Sequence, residues 1–298
     1  MLPDKLSELP TNRVTLLKNL TCPYCGVELT QDNHNEEHVI GRKFIPKGFL
    51  NGQWNLILRA CKKCNLDKSE LENDISAITL AGRIWFDSYE VEKSIVNEAH
   101  RKIKGSKSKL TGKLVMDSQV EKTMTVPFFN GGTITSKLVS APQIESSRLF
   151  ELAKMQMMAF FYFITFNDET KKGGFWQDGF HPVSKAHHAD WGNIEYKAFM
   201  HTVVTWEPCW VVITADGFFK SIIRRHPYEE CWSWALEWNK NYRLIGFFGV
   251  REPAQIIVNT FPSLEMMSVQ TGEKSSLRFR KHTKLDEKDD LLFVWNNE

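Results

Sequence analysis

The chain has 298 residues, of which 42% are hydrophobic and 25% charged, and its formal net charge at pH 7 is +2. A charge so close to zero argues against a protein that coats nucleic acid non-specifically, and it confines electrostatic contacts to local patches. Four of the 6 cysteines form two C-x-x-C pairs, a usage that indicates a reduced metal protein and excludes a secreted disulfide framework. A chain of this length holds more than one small module, so we expect two domains.

No segment of the sequence predicts export or membrane insertion. The start, Met1 to Lys5, has no basic segment that leads into an apolar run, so we expect no signal peptide. The most apolar run, Met157 to Phe166, is shorter than the roughly 18 residues that span a bilayer, and it predicts a buried helix. We therefore expect a cytoplasmic protein without a membrane partner.

The first motif along the chain is a pair of metal-binding knuckles. Cys22-Pro23-Tyr24-Cys25 and Cys61-Lys62-Lys63-Cys64 each turn two thiolates toward one point. Four thiolates complete the tetrahedral coordination of one zinc ion and leave no open position for a substrate. We therefore predict a structural zinc held by Cys22, Cys25, Cys61 and Cys64, and we expect any chemistry to come from neighbouring residues.

Side chains suited to phosphodiester hydrolysis lie between and just after the knuckles. The imidazole of His38 has a pKa near neutrality, which suits a general base. The Glu37 carboxylate and the Asn65 side-chain carbonyl are hard oxygen ligands, which suit Mg²⁺ or Mn²⁺ and not a second zinc. In a regular strand Glu37 and His38 point to opposite faces, so a shared site requires them at the irregular end of a hairpin.

The order of these residues resembles the HNH nuclease superfamily, which has the ββα-metal fold, over about the first quarter of the chain. The sequence Glu37-His38-Val39-Ile40-Gly41 is similar to the E-H-[VI]-I-P branch, with glycine in place of proline. The resemblance implies that a zinc-stapled hairpin and a short helix hold one catalytic cation that serves DNA hydrolysis. It implies His38 as general base, Asn55 (alternatively Asn51) as the middle Asn, Glu37 and Asn65 as Mg²⁺ ligands, and Arg42 and Lys68 as phosphate or DNA contacts.

Helical patterns follow the second knuckle. The segment 62–80 predicts a helix that closes the nuclease module, with Asn65 and Lys68 on one face. The next stretch, 81–100, is amphipathic at helical spacing. From Arg101 to Lys113 the charged residues are all basic, which indicates either an arm that contacts phosphates or a solvated linker.

The remainder of the chain predicts mixed strands and helices. Hairpins are expected at Asn130-Gly131-Gly132 and at Asp216-Gly217, and Cys209 and Cys231 are expected as core thiols. The other predicted elements are a helix that Ser146 or Ser147 caps, a Trp-rich helix at 229–239, strands at 243–250 and 254–258, and a final strand pair at 277–295. The predicted fold class is α+β, with a small zinc-stapled ββα-metal nuclease domain (1–80), a helical and basic connector (81–119) and a larger mixed α+β domain (120–298).

Two functions of different classes fit these patterns. The first is an HNH endonuclease whose C-terminal domain selects the DNA target or regulates cleavage, as in restriction or antiviral defence. The second is a non-catalytic zinc module that binds nucleic acid or protein. A cation site shared by Glu37 and Asn65, with His38 within one water of it, would support the enzyme. A homo-oligomer, or a partner or signal that regulates the C-terminal domain, fits the first function.

Overall fold

The computed structural model describes residues 13–87, 91–127, 132–176, 179–272 and 275–295. Within these residues helices and strands are mixed along the chain, which confirms the α+β class. The α-helices are α1 (Lys62–Asp87), α2 (Lys93–Gly105), α3 (Ser146–Ile164), α4 (Ile194–Val203) and α5 (Arg251–Val258). The strands are β1 (Thr15–Leu16), β2 (His34–His38), β3 (Leu56–Cys61), β4 (Val120–Pro127), β5 (Thr133–Ser140), β6 (Gly179–His187), β7 (Glu207–Thr214), β8 (Phe219–Arg225), β9 (Cys231–Trp238), β10 (Tyr242–Gly249), β11 (Met267–Gly272) and β12 (Ser275–Phe279).

The N-terminal part forms a small sheet of order β1-β3-β2, and α1 follows β3 directly. Strands β2 and β3 are antiparallel, with His34 opposite Cys61 and His38 opposite Ile57. Residues along β3 alternate between buried and partly exposed, because only one face of this strand meets the core. The predicted helix at 62–80 is confirmed and continues to Asp87. The pairing sets the start of β2 beside the second knuckle and its end close to Asn55.

The C-terminal part is built on an antiparallel sheet of order β6-β10-β9-β8-β7. Every residue of β9 is buried, because both faces of this strand are covered. One face carries Trp210, Trp234 and Trp238 into a core that also contains α3 and residues of β3 and α1. The other face packs against α4 and α5. The two sheets therefore share one hydrophobic core, while the domain boundaries at residues 80 and 119 stay a prediction.

Polar side chains also tie the large sheet to the helices. Asn239 Nδ2 donates to Thr79 Oγ1 (2.8 Å), and Asn241 Nδ2 donates to the Thr79 carbonyl (2.8 Å). Trp238 Nε1 donates to Gln156 Oε1 on α3 (3.0 Å). All five side chains are buried. The turn between β9 and β10 is thus fixed on the second half of α1.

Several sequence predictions for the C-terminal part are confirmed. Strands β7 and β8 form the hairpin predicted at Asp216-Gly217, where both turn residues have positive φ (51° and 81°). Cys209 and Cys231 are core thiols, and burial raises the pKa of each to about 12. Strands β4 and β5 pair as predicted, although Asn130 and Gly131 of their predicted turn lie outside the described residues. Among the described helices, none is long and apolar enough to cross a membrane.

Four predictions about the C-terminal part are wrong. The segment 229–239 contains β9 instead of a helix, because its residues alternate between one face with large side chains, such as Trp234 and Trp238, and another with smaller ones, such as Cys231 and Ala235. The segment 254–258 belongs to α5 instead of a strand. In the tail 277–295, only the end of β12 is strand, and it pairs with β11 instead of with a later strand. The N-cap of α3 is Glu145 and not Ser146 or Ser147, and its side chain makes no capping bond.

Candidate active site

The two knuckles meet at one point. Cys22 and Cys25 lie on a tight turn closed by a bond from Gly26 N to the Cys22 carbonyl (2.8 Å). Cys61 is the last residue of β3, and Cys64 lies in the first turn of α1. The sulfur atoms of these four cysteines all lie within 4.8 Å of one another. The four cysteines that are paired in the sequence therefore form one cluster in the structure.

The dimensions of this cysteine cluster fit a tetrahedral zinc ion. Zinc–sulfur bonds of about 2.3 Å at tetrahedral angles separate the sulfurs by about 3.8 Å. The Cys25 and Cys61 sulfurs are 3.7 Å apart. Burial raises the pKa of the Cys22 thiol to about 11, and a bound cation would reverse that shift because it favours the thiolate. The four cysteines can therefore hold a metal ion such as zinc.

A polar cleft of about 1170 Å³ opens between the end of β2, the segment 41–52 and the first half of α1. Five of the predicted site residues line it: Glu37, His38, Arg42, Asn55 and Asn65. Asn51, the alternative to Asn55, lines it as well, whereas Lys68 does not. Glu37 and His38 are the last two residues of β2, but they pair in regular register with Leu58 and Ile57, so the irregular end predicted for this hairpin is not seen here. The fold thus lines one cleft with residues from the end of β2, from the segment that leads to β3, and from α1.

His38 lies at the wall of this cleft with one ring nitrogen already bonded. Its Nε2 accepts hydrogen bonds from Arg42 Nε (3.1 Å) and Arg42 Nη2 (2.7 Å). Burial lowers the pKa of His38, and the positive charge of Arg42 lowers it further. The imidazole is therefore neutral at neutral pH, which is the protonation state that a general base requires.

Asn55 closes the turn that follows His38. Its buried side chain brackets Ile40, since Oδ1 accepts from the Ile40 amide (3.3 Å) and Nδ2 donates to the Ile40 carbonyl (2.9 Å). Asn51, the alternative for this role, is exposed on a turn in which its amide bonds the Gly48 carbonyl (3.0 Å). The geometry favours Asn55 as the residue that holds the backbone beside His38.

Lys68 lies behind the cleft wall and not on it. Its side chain is 1% exposed, and Nζ lies 2.6 Å from both Glu37 Oε1 and Glu72 Oε1. The same ammonium donates to the His38 carbonyl (3.1 Å), so three acceptors share its three protons. Burial lowers the pKa of Lys68, but the two carboxylates outweigh burial and raise it. This placement differs from the predicted phosphate contact, because the ammonium positions Glu37 and the His38 backbone.

Glu72 is a residue of the cleft that the sequence analysis missed. It lies one helical turn after Lys68 and two turns after Asn65, so the helical period places the three residues on the same face of α1. A Cβ atom added at Gly41 would lie 2.7 Å from Glu72 Cδ, which is too close for any real side chain. Gly41, in place of the proline of the HNH motif that the sequence resembles, therefore leaves room for a second carboxylate.

The substitution Gly41→Ala tests this close approach. The new methyl group should push the Glu72 carboxylate away from the buried Lys68, and we expect the free energy of unfolding to fall by about 1–3 kcal/mol. Urea denaturation would measure the change. The matched control is Gly105→Ala, at the same cleft, where an added Cβ meets no atom within 4 Å. Equal stability of the two variants would contradict the steric argument.

Known proteins provide no further guide to this site. The chain matches no family model, no curated protein and no solved structure. Of the resemblance to HNH nucleases, the described residues bear out the four-cysteine cluster and its capacity to hold a metal ion. A function for the cleft must therefore be argued from its own geometry.

Proposed function

We propose that the chain is a divalent-metal-dependent HNH endonuclease that hydrolyses phosphodiester bonds of DNA. The observation that carries the proposal is the single cleft lined by Glu37, His38, Asn55 and Asn65. A base, a carboxylate and amide groups line this cleft, and a cysteine cluster that can brace the surrounding backbone lies at the other end of β2 and β3. These are the residue types that metal-assisted hydrolysis requires.

The proposed ligands of the catalytic Mg²⁺ or Mn²⁺ are Glu37 and Asn65. Protein sites for Mg²⁺ supply one or two carboxylates and leave the other positions to water and substrate phosphate, so this small donor set fits. When bound, the cation supplies stabilisation of the charge that develops on the phosphoryl and leaving oxygens. Burial raises the pKa of Glu37, and the Lys68 ammonium, 2.6 Å from Oε1, opposes that shift because it favours the carboxylate.

His38 is the proposed general base. Its neutral imidazole takes a proton from a water molecule as the water oxygen bonds to phosphorus and the bond from phosphorus to the leaving oxygen breaks. Asn55 holds the Ile40 backbone and Lys68 holds the His38 carbonyl, so the backbone is fixed at and beyond His38. The guanidinium of Arg42, on the same cleft wall, is suited to bind phosphate oxygens in pairs.

A non-catalytic zinc module that binds nucleic acid or protein is the second candidate. The cysteine cluster supports it, because a structural zinc site can stabilise a binding module that has no catalytic residues. The position of the Glu37–Lys68–Glu72 ion pairs favours the enzyme, because both carboxylates belong to the cleft that His38 lines.

Incubation of the purified protein with supercoiled plasmid separates the two candidates. The enzyme should convert the plasmid to nicked or linear forms with Mg²⁺, and it should leave the plasmid intact when Mg²⁺ is omitted. Cleavage must follow the protein through its last purification step, which excludes a contaminating nuclease. Plasmid that is bound but never cut, with Mg²⁺ or Mn²⁺, would support the binding module and reject the enzyme.

Some of the cations between residues 101 and 113 already have partners in the protein, and others are exposed to solvent. Lys102 is buried and donates to the carbonyls of Lys43 (2.6 Å) and Phe44 (3.0 Å), so it holds the segment that lines the cleft. Arg101 and Lys109 each pair with a carboxylate, at 2.6 Å and 3.4 Å respectively. In contrast, the side chains of Lys104, Lys107 and Lys113 are exposed, and these three are the best placed to contact the phosphates of DNA.

The double variant Lys104→Ala/Lys107→Ala tests whether this surface tracks phosphates. We expect weaker DNA binding on all sequences and a plot of log K against log [salt] that is flatter by about 0.9 for each phosphate that the protein no longer neutralises. Fluorescence anisotropy over a range of salt concentrations measures the slope. The control is Lys281→Ala/Lys288→Ala, which removes the same charge from the tail. An identical salt dependence in wild type and Lys104→Ala/Lys107→Ala would show that the segment is a solvated linker.

The C-terminal part is proposed to select the DNA target or to regulate cleavage. Its sheet shares a core with α1, and its β9–β10 turn bonds Thr79, so a ligand on the sheet has a physical connection to the helix that carries Asn65. We propose a cytoplasmic location, where reduced thiols suit the zinc cluster, and a role in restriction or antiviral defence. Cleavage of both strands would require two sites, for which a homo-oligomer is the simplest source.

A further inference from the structure

The contact between Arg42 and His38 occupies the lone pair of the base. A neutral imidazole has one nitrogen with a free lone pair, and its other nitrogen carries the proton. Because Arg42 donates to Nε2 from two of its nitrogens, the lone pair lies on Nε2 and the proton on Nδ1. While this contact lasts, His38 has no nitrogen that can accept a proton from water.

The side chain of Arg42 can move while its backbone stays in place. The backbone on either side is fixed, because Asn55 brackets Ile40 and because Phe44 and Ile45 are buried at 0% and 1% exposure. The side chain of Arg42 itself is exposed on the cleft wall. A rotation about its own bonds is therefore enough to break the contact with His38, without a change in the fold.

A phosphate in the cleft competes for this guanidinium. The two non-bridging oxygens of a phosphodiester share one negative charge and match the paired N–H groups of an arginine, and bonds between two ions are stronger than the bonds of the same cation to a neutral ring. Arg101, on the same cleft, already has the carboxylate of Glu98 as a partner (2.6 Å), whereas the His38 ring that Arg42 bonds is uncharged. An arriving phosphate should therefore draw Arg42 away more readily than Arg101.

We propose that Arg42 blocks the general base in the free protein and releases it by turning to a phosphate of the substrate. We call the Arg42–His38 contact the arginine cap. The inference rests on the proposed function, in which His38 is the base, and it adds a second role to a phosphate-binding residue. Water in an empty cleft then meets no active base, and hydrolysis requires a phosphodiester that is already in place.

Covalent modification of His38 by diethyl pyrocarbonate tests the cap without any measurement of cleavage. The reagent attacks an unprotonated ring nitrogen, so the capped nitrogen should react slowly. We expect Arg42→Ala to raise the rate at His38 roughly five- to tenfold, the factor that corresponds to one net hydrogen bond. Lys43→Ala, which removes the adjacent exposed cation of the same cleft, should leave the rate unchanged. Peptide mass spectrometry assigns the modification to His38.

Nuclear magnetic resonance of the imidazole nitrogens tests the release. Addition of a short oligodeoxynucleotide in Mg²⁺-free buffer should shift the Nε2 resonance of wild type away from its hydrogen-bonded value. In Arg42→Met, which keeps an unbranched side chain but has no hydrogen-bond donor, the resonance should start at the uncapped value and stay there.

The outcomes separate the cap from the proposed nuclease. Equal modification rates in wild type and Arg42→Ala would overturn the cap even if the protein cleaves plasmid. Failure of the oligodeoxynucleotide to shift Nε2 would overturn the release, whether or not the nucleotide binds. A faster reaction in Arg42→Ala together with the shift in wild type would support both steps, and this result stands without a cleavage assay. If the Arg42→Ala protein fails to fold, the rate of Arg42→Met decides in its place.

Discussion

Replacement of His38 by alanine should lower the rate of DNA cleavage by about 10²- to 10⁴-fold, the usual cost of a lost general base. The residue ends β2 at the cleft wall, and no other imidazole lines the cleft within the described residues. DNA binding and zinc content should stay at wild-type levels, because His38 serves neither. Plasmid cleavage under single-turnover conditions, anisotropy and metal analysis of the same preparation measure the three quantities.

Asn65→Ala is the informative companion to this variant. Loss of a proposed Mg²⁺ ligand should raise the Mg²⁺ concentration needed for half-maximal cleavage, and saturating Mg²⁺ should restore part of the rate. Asn65 is a cleaner choice than Glu37, because removal of Glu37 would also leave Lys68 with one buried carboxylate fewer. A His38→Ala protein that cuts at the wild-type rate would reject the assignment of the base.

Loss of the zinc should unfold the N-terminal part of the chain. Structural zinc contributes about 10–16 kcal/mol of apparent binding free energy in small modules, which rivals the about 5–15 kcal/mol that stabilises a typical domain. Cys22 is buried beside β3, and Cys61 and Cys64 join β3 to α1. Four thiols packed within 4.8 Å without a cation would leave this junction unsupported.

The pair Cys22→Ser/Cys64→Ser measures this dependence against a matched core variant. We expect no bound zinc by metal analysis, a lower melting temperature by circular dichroism and no cleavage. Cys209→Ser replaces a buried thiol of β7 outside the cluster, and it should keep the zinc even if it loses some stability. A zinc-free Cys22→Ser/Cys64→Ser protein that is folded and cuts DNA would contradict a structural zinc.

Features that depend on short stretches of chain were open to prediction from the sequence. The knuckles are local turns that require only cysteine spacing and a residue such as Gly26, whose φ is +73°. The Asp216-Gly217 hairpin is likewise a matter of turn chemistry. The elements around the cleft could be predicted only through the resemblance of Glu37, His38 and Asn65 to the HNH motif, which implies a hairpin followed by a helix.

Features that depend on partners far away in the sequence could not be predicted from the sequence. Ala235, Leu236 and Glu237 favour a helix, yet they lie in β9, where Glu237 is buried against Arg243 of β10 (2.8 Å). The alternation of Trp232 and Trp234 was the local signal for a strand. Lys68 could not be assigned as a buried positioning residue from its spacing alone, because its three acceptors do not all lie on its own helix.

In α5 the local preference also misleads. Ile256, Ile257 and Val258 are β-branched and favour a strand, but the segment is helical and contacts β6, β9 and β10. Pro253 lies in the first turn of the helix, where its missing N–H removes no intrahelical bond. Packing of Ala254 against the sheet decides the conformation of these residues.

The two amides of the β9–β10 turn have a mechanical consequence for the chain. Helix α1 has 26 residues and a length of about 39 Å, with the cleft residues on its first turns and Thr79 farther along. Asn239 and Asn241 both donate hydrogen bonds to Thr79, so this one helix contacts both the small sheet and the large sheet. Because these bonds and the shared core join the large sheet to α1, we expect a displacement of the β9–β10 turn to be passed to the helix that carries Asn65.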